Sequence, residues 1–408
     1  MPKRPRKFFL VLMLGLLSSI SPFAIDMYLP AFSQIAQDFA TTPARISLSV
    51  VSYFVGLAVG QVIYGPLLDR YGRRRPLITG LSIFIVASIA CAMTHSQEEL
   101  IALRFVQAMG GCVAWVSSMA MVRDFFTLKE SANVFSLLVL ILGVSPLLAP
   151  TVGGFVTEAL GWRAIFFLLG GIVAVILAIM VLALPEGHEP DPHVSLKPGP
   201  ILKTYASVVR TPQFYTYAFS GAFSFAALFI YVSGSPIVFM QFFGATPRTY
   251  GFIFALLSLA FIGSSQLNIL LTRRFANASI YTVAISLQLI VSMLFLAGAW
   301  NNWFDMNGAI GMFFLMLACV GLMNPNGSAL AMAPFKEHAG SAASMFGFAQ
   351  IGLGALVSSS IGVLNAHQLL PIVVILSVSA VLAWSTLMVG KGRIKSLVTG
   401  EESSPTPH

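Results

Sequence analysis

The stretch Gly65-Pro66-Leu67-Leu68-Asp69-Arg70-Tyr71-Gly72-Arg73-Arg74-Arg75-Pro76 sets a knot of charge between two long apolar runs. Four arginines and one aspartate in so short a loop cannot enter hydrocarbon, so the loop sits at a membrane interface. Its arginines assign that interface to the cytoplasm. The orientation of the rest of the chain follows from this one loop.

Composition points the same way. Charged residues are 9% of the 408 and hydrophobic residues 57%, with a mean hydropathy of +0.85. Ordinary soluble domains are about 25% charged, so a soluble fold is excluded. At roughly 20 residues per spanning helix, twelve spans take about 240 residues, close to the apolar share of the chain.

The net charge of +8 is a topology signal and not one for nucleic acid. Of the 23 Lys and Arg, all but Arg45, Arg104, Arg163 and Arg248 fall in the two tails and alternate loops. That bias places both termini in the cytoplasm. Cys91, Cys112 and Cys319 sit in apolar runs with no CxxC spacing, so they read as packing residues rather than disulfides or metal ligands. The basic start followed by an apolar run imitates a secretory signal, but the run is too long and carries Asp26, so it reads as an uncleaved first span.

Apolar runs between polar breaks predict spans at 8–30, 46–66, 76–94, 98–121, 131–157, 163–184, 213–240, 249–271, 279–299, 307–333, 340–363 and 369–389. The expected architecture is an all-α polytopic membrane protein: a six-helix half over 1–184, a cytoplasmic linker over 185–211, a second half over 212–390 and a tail over 391–408. Pro185, Pro190, Pro192, Pro198 and Pro200 are expected to keep regular helix out of the linker. Its His188, Glu189, Asp191 and His193 read as a solvated loop and not as a metal site. Two such halves suggest a carrier that rocks about a site near the bilayer midplane.

Asp26 is the one acidic residue well inside a predicted span. An ionisable group at a helix centre costs about 2.5 to 3.5 kcal/mol on insertion scales, so something must offset it. Counting from the helix ends at about 1.5 Å per residue puts Asp26 and Arg104 of the fourth span in the same outer half of the membrane. They are expected to approach, directly or through water, and to couple proton movement to transport. The alternative is that Asp26 only ties the first span to the fourth or caps a kink between Pro22 and Pro30.

Four motifs in order then carry a resemblance. Asp26-Met27-Tyr28-Leu29-Pro30 closes the first span, and the arginine loop fits GxxxDRxGRR. Arg104-Phe105-Val106-Gln107-Ala108-Met109-Gly110-Gly111 lies on the fourth, ahead of Val122-Arg123-Asp124. Gly143-Val144-Ser145-Pro146 continues to Ala149-Pro150 and Gly153-Gly154 on the fifth. Gly161-Trp162-Arg163 and Gly234-Ser235-Pro236 add to the pattern. The chain resembles the major facilitator superfamily, and within it the Bcr/CflA-type drug:proton antiporters. It departs from them in having Ala149 where a glycine usually precedes the proline.

The resemblance implies export of small amphiphiles, bicyclomycin or phenicol-like, in exchange for protons across a bacterial inner membrane. It gives Arg104 a coupling role beside Asp26. It makes Gly65, Asp69, Arg70, Gly72, Arg73, Arg74 and Asp124 a cytoplasmic latch, with Arg73 paired to Asp124 and Asp69 facing the helix that starts near Gly340-Ser341. It makes Gly143, Pro146, Pro150, Gly153 and Gly154 an antiporter-specific bend.

Tyr28, Tyr53, Gln61, Trp115, Phe223, Tyr231, Asn324 and Gln350 are expected to line an adaptable cavity. The run Asn324-Pro325-Asn326-Gly327 is expected to break the tenth span beside it. With one intramembrane acid, all in the first half, neutral amphiphiles should suit the site better than dications. No Walker sequence, zinc spacing, dinucleotide fingerprint or nucleophile-base set appears, so neither an enzyme, a metal nor an organic cofactor is expected, and the proton is the coupling ion. Expected partners are a small-molecule drug, protons and the bilayer, with the protein a monomer. A proton-coupled metabolite carrier is the second reading, and a non-transporting receptor or enzyme a distant third.

Overall fold

The computed structural model describes residues 7–126, 128–183, 198–335, 339–364, 366, 368–394 and 397–398. At some of these, including Asp69, Arg123, Lys129 and Gly143, it describes the backbone alone. The described residues are helical and contain no strand.

The first helices are α1 (Lys7–Asp26), a 3-10 turn (Leu29–Ala31), α2 (Phe32–Asp38), α3 (Pro43–Tyr71) and α4 (Arg74–Ala92). They are followed by α5 (Gln97–Phe125), α6 (Leu128–Leu160) and α7 (Trp162–Ala183). Then come α8 (Pro198–Arg210), α9 (Pro212–Pro236) running into a π-turn (Ile237–Phe242), α10 (Pro247–Leu271), α11 (Asn277–Trp300), α12 (Met306–Met332), α13 (Ala339–Val363) and α14 (Leu369–Lys391). Among the described residues eleven stretches are long and apolar enough to cross a membrane, the first running through α1 and α2 as Lys7–Asp38. The 33-residue α6 is a further long helix, whose side chains are only partly described.

Two expectations are corrected. The linker was expected to lack helix, yet its second part forms α8 from Pro198 to Arg210. Proline is tolerated in a first helical turn, where the missing N–H has no partner to lose, and both Pro198 and Pro200 fall there. Residues 185–197, with His188, Glu189, Asp191 and His193, lie outside the described residues. The run Asn324-Pro325-Asn326-Gly327 does not break its helix: α12 passes through Pro325 without interruption. The Asn326 side chain donates to the Leu322 carbonyl at 2.7 Å and so supplies a local hydrogen bond next to the one the proline removes.

The chain divides into two compact units. One comprises Met1–Leu196 with Val232–Ser258 and Ser358–Gln368, and the other Lys197–Tyr231, Leu259–Val357 and Leu369–His408. This differs from a simple cut at the linker, because segments of α9, α10 and α13 belong with the first unit.

Within the first unit α5 is central, and glycines let it be so. A Cβ on Gly56 of α3 would stand 2.6 Å from the Phe105 carbonyl, and one on Gly110 would stand 2.6 Å from the Gly80 carbonyl of α4. Contacts that close replace the hydrophobic drive that helices lack in lipid. At the end remote from the arginine loop, Thr42 and Ser96 cap α3 and α5 by accepting from the Arg45 and Glu99 amides. There too Asp38 accepts from Trp162 Nε1 at 2.7 Å and Arg163 Nη1 at 2.8 Å, clamping α2 to α7.

The second unit is tied by polar contacts. Tyr281 of α11 shares a hydrogen bond with Ser220 of α9 and donates to the Tyr217 carbonyl. Gln288 donates to the Ser224 carbonyl, and Lys391 Nζ of α14 reaches Thr282 Oγ1 at 2.6 Å.

Candidate functional site

Asp26 ends α1, four residues past Pro22, and the chain turns through Met27 and Tyr28 into the 3-10 segment opened by Pro30. The residue is 6% exposed, and among the described residues no hydrogen bond or ion pair reaches its carboxyl. Tyr250 of α10, the helix that Gly154 and Gly251 bring onto α6, is fully buried and shares a hydrogen bond of 2.8 Å with Ser235.

The turn after Asp26 rests on α6. A Cβ at Gly153 would lie 2.0 Å from the Met27 carbonyl oxygen, so nothing larger than glycine fits against this turn. Nearby, Gly154 faces the Pro247 carbonyl at 2.9 Å and Gly251 faces Pro150 and Thr151 at 3.0 to 3.2 Å. A Cβ at Gly362 of α13 would stand 2.4 Å from Leu48 and 2.9 Å from the Ala44 carbonyl. Four glycines thus bring α10, α13 and the Asp26 turn onto α3 and α6. Pro146 and Pro150 lie inside α6, and the Gly143 neighbourhood is outside the described side chains.

Arg104 is completely buried. Its guanidinium carbon sits 4.3 Å from the Tyr53 ring centroid, 4.9 Å from that of Tyr28 and 5.8 Å from that of Phe166. Nη1 donates to Gln107 at 2.6 Å, and Gln107 passes the connection to Ser88 at 2.7 Å. Nε and Nη2 have no hydrogen-bond partner among the described residues.

Among the described residues no direct ion pair joins Arg104 to Asp26, so of the two forms of approach expected the direct one is not seen. Helix counting fixes height in the membrane but not which way a chain turns. The bend at Met27 gives Tyr28, not Asp26, to the guanidinium, and an aromatic cage takes the place of the carboxylate. Arg104→Lys keeps the charge but loses the flat face held between Tyr53 and Tyr28. With cation–π contacts worth about 0.5 to 2 kcal/mol each, thermal unfolding of the purified variant is expected to fall by several degrees.

At the arginine loop, α3 and α4 are joined by Gly72 and Arg73 alone, and Gly72 has φ +78° with ψ 178°, a left-handed-side conformation suited to glycine. The link directs Arg73 Nε onto Asp124 Oδ2 at 2.9 Å, with both side chains mostly buried. Arg74 donates to the Val181 carbonyl, and Arg70 lies 5.8 Å from the Tyr71 ring. The side chains of Asp69 and Ser341 are outside those described, and a Cβ on Gly65 would meet nothing within 4 Å. Reversing Arg73 or Asp124 alone leaves two like charges mostly buried together, costing on the order of 3 kcal/mol. The double reversal Arg73→Asp with Asp124→Arg is expected to restore much of the transport each single reversal loses, measured as drug export from cells.

The expected cavity residues separate. Tyr28 and Tyr53 are fully buried in the Arg104 cage, and Tyr231 is 1% exposed with its ring 5.6 Å from that of Phe313, so these three are packing groups and not cavity lining. Gln61, Trp115, Phe223 and Asn324 are partly exposed, and Gln350 donates to Asn324 at 2.7 Å. A cavity of about 380 Å³ does open in the first unit between α1, α6 and α7, but none of the expected residues borders it. Its rim residues Leu148 and Ile172 are 50% and 42% exposed, which marks it as an apolar groove on the lipid side.

Sequence reasoning missed Tyr250, Gly251 and Asp38, none of which carried a signal in its surroundings.

Residues 14–359 match the model of the Major Facilitator Superfamily. The chain belongs to that superfamily. It is 30% identical over 388 residues to the uncharacterized MFS-type transporter YdgK of Bacillus subtilis, covering 93% of this chain and 95% of YdgK. It is 27% identical over 374 residues to the bicyclomycin resistance protein homolog of Haemophilus influenzae, covering 91% and 93%. The fold is also that of a bacterial homolog to the human lysosomal transporter Spinster, solved inward-facing and unoccupied, with TM-score 0.73 at 13% identity over 97% of this chain and 99% of that one. This superfamily protein is therefore a multi-pass membrane transporter and not an enzyme.

Proposed function

We propose that this transporter exports small amphiphilic drugs from the bacterial cytoplasm across the inner membrane in exchange for protons. The observation that carries the reading is Asp26: a buried carboxyl with no counter-charge among the described residues, on a turn seated against Gly153. Leaving a carboxylate ionised and unpaired in such surroundings is costly, whereas its neutral acid is tolerated. Asp26 therefore carries a proton through the state in which it is out of water and gives it up when the carrier opens to the cytoplasm. Alternating access then links the two fluxes.

Arg104 acts in the same pathway as a fixed positive charge whose Nε and Nη2, without a partner among the described residues, can receive one in another state. The Arg73–Asp124 pair and the Asp69 loop serve as the latch on the cytoplasmic side, and the prolines and glycines of α6 serve as the antiporter bend. Bicyclomycin, which the name of the Haemophilus influenzae relative carries, and the phenicols that the sequence resemblance implies are the drugs of choice for a first test.

Overproduction in a pump-deficient bacterium is expected to lower accumulation of labelled chloramphenicol or bicyclomycin, and an uncoupler is expected to restore it. Low accumulation that persists after the proton gradient is collapsed would rule out proton coupling. A natural solute that competes for the same route would favour metabolite exchange.

A further inference from the structure

In the second unit the end of α12 and the start of α9 meet through one side chain. Leu330 lies in the last turn of α12, and the residue whose N–H would bond its carbonyl in a continuing helix is Pro334. Proline has no N–H, so the sequence itself leaves that carbonyl without an intrahelical donor. Gln213, in the first turn of α9, fills the place: its Nε2 donates to the Leu330 carbonyl at 2.8 Å. Beside it the rings of Phe214 and Phe335 meet edge to face with centroids 5.7 Å apart, which keeps the two ends together.

The same amide holds a second segment. Nε2 also donates to the Val398 carbonyl at 2.8 Å, and Oε1 accepts from the Val398 N–H at 3.0 Å. These backbone partners fix the orientation of the amide, because a flip would set its oxygen against two carbonyls. Both N–H bonds and the oxygen are thus committed, in a residue only 4% exposed. Without Val398 the oxygen and one N–H would be stranded in buried surroundings, which is unfavourable.

Val398 offers its peptide groups and little else. Its side chain is 41% exposed and that of Leu397 39%, so apolar burial does not hold this segment. One primary amide that exchanges two hydrogen bonds with a single non-helical residue copies one rung of an antiparallel ladder. Such a site reads backbone and not side chains.

We propose that Gln213, set in place by Leu330, is a docking site for an extended peptide backbone, and that its occupant is the chain's own C-terminal tail. The tail is then a releasable strap across the ends of α9 and α12, held at Val398 by two hydrogen bonds to one amide. Nothing in this assignment depends on what the carrier exports.

Limited trypsin digestion of the purified full-length protein in detergent reads the docking. Cleavage after Lys395 requires the flanking residues to enter the protease cleft in extended form, so its rate follows the undocked fraction. Release of residues 396–408 is followed by mass spectrometry, and each rate is compared with that of a free peptide spanning 391–408 with the same substitution. Wild type is expected to be cut at least about tenfold more slowly than its peptide, a bias that two hydrogen bonds of ordinary strength supply. Val398→Ala keeps both peptide groups and should be protected equally. Val398→Pro, which lacks the N–H, and Gln213→Leu, which lacks the amide, should each lose most of the protection. Val398→Pro lies beyond α14 and leaves every helix intact, so the test stands even where Gln213→Leu fails to fold.

Hydrogen exchange in the first turn of α9 and the last turn of α12 reads the strap, and it should quicken several-fold in Val398→Pro relative to Val398→Ala. Wild-type cleavage as fast as that of the free peptide, or equal protection in Val398→Ala and Val398→Pro, would overturn the docking site. Lost protection in Val398→Pro with unchanged exchange at both helix ends would overturn the strap while upholding the site. Since neither readout involves transport, a failure of drug export would leave both results standing.

Discussion

Asp26→Asn is expected to reduce drug-driven proton movement in inside-out vesicles to the level of vesicles without the protein. The asparagine has the same shape and cannot exchange a proton. In such vesicles the lumen stands for the outside of the cell, so respiration acidifies it and an exported drug enters it while a proton leaves. Addition of chloramphenicol or bicyclomycin should therefore raise the lumenal pH for wild type and leave it unchanged for the variant.

The amount of folded protein should be preserved, because Asp26 makes no hydrogen bond or ion pair to a described residue that asparagine would forfeit. Chloramphenicol binding to the purified variant should also persist, since asparagine keeps the shape of the side chain and of the turn that carries it. Loss of exchange with retained binding separates a coupling role from a structural one. Full proton exchange by Asp26→Asn would mean that Asp26 only shapes the turn between Pro22 and Pro30.

Gly153→Ala is expected to be nearly as damaging, for a reason that is purely steric. The added methyl would stand 2.0 Å from the Met27 carbonyl oxygen, and the obstacle is backbone, so no rotamer change relieves it. Overpacking of this kind costs about 1 to 3 kcal/mol and moves either α6 or the turn that presents Asp26. Export should fall sharply and the melting temperature should drop.

Gly65→Ala is the control within the same set of motif glycines. Its Cβ meets nothing within 4 Å, and alanine favours helix over glycine by about 1 kcal/mol, so the folded protein should be unharmed. A Gly153→Ala protein that melts and exports like wild type would contradict the packing of α6 on the Asp26 turn.

The parts legible in the sequence were those set by a single strong force. Hydrocarbon excludes charge, so the long helices and the arginine loop could be read from residue type alone. The motif carried the Arg73–Asp124 contact because a two-residue link leaves Arg73 few directions to take. Depth counting placed Asp26 and Arg104 at one level, but the azimuth of a side chain depends on a turn that hydropathy does not register. Tyr28 and Tyr53 then took the position given to a carboxylate.

Proline was read too strictly in two places. At Pro198 it opens a helix, and at Pro325 the helix continues with side-chain help from Asn326. The docking glycines Gly251 and Gly362 had no signature, since a glycine in an apolar run looks the same whether it meets lipid or a backbone carbonyl. Tyr250 was hidden in the same way, as one aromatic among many until the glycines brought α10 onto α6.

The most direct test of drug:proton exchange is a paired measurement on purified wild-type protein in liposomes with an acidic lumen, following labelled chloramphenicol entry and proton release together. The account predicts that drug accumulates only while the pH gradient stands and that each increment of uptake is matched by proton release to the bath. Drug accumulation that ignores the gradient, or a complete lack of drug and proton movement by correctly inserted protein, would contradict it.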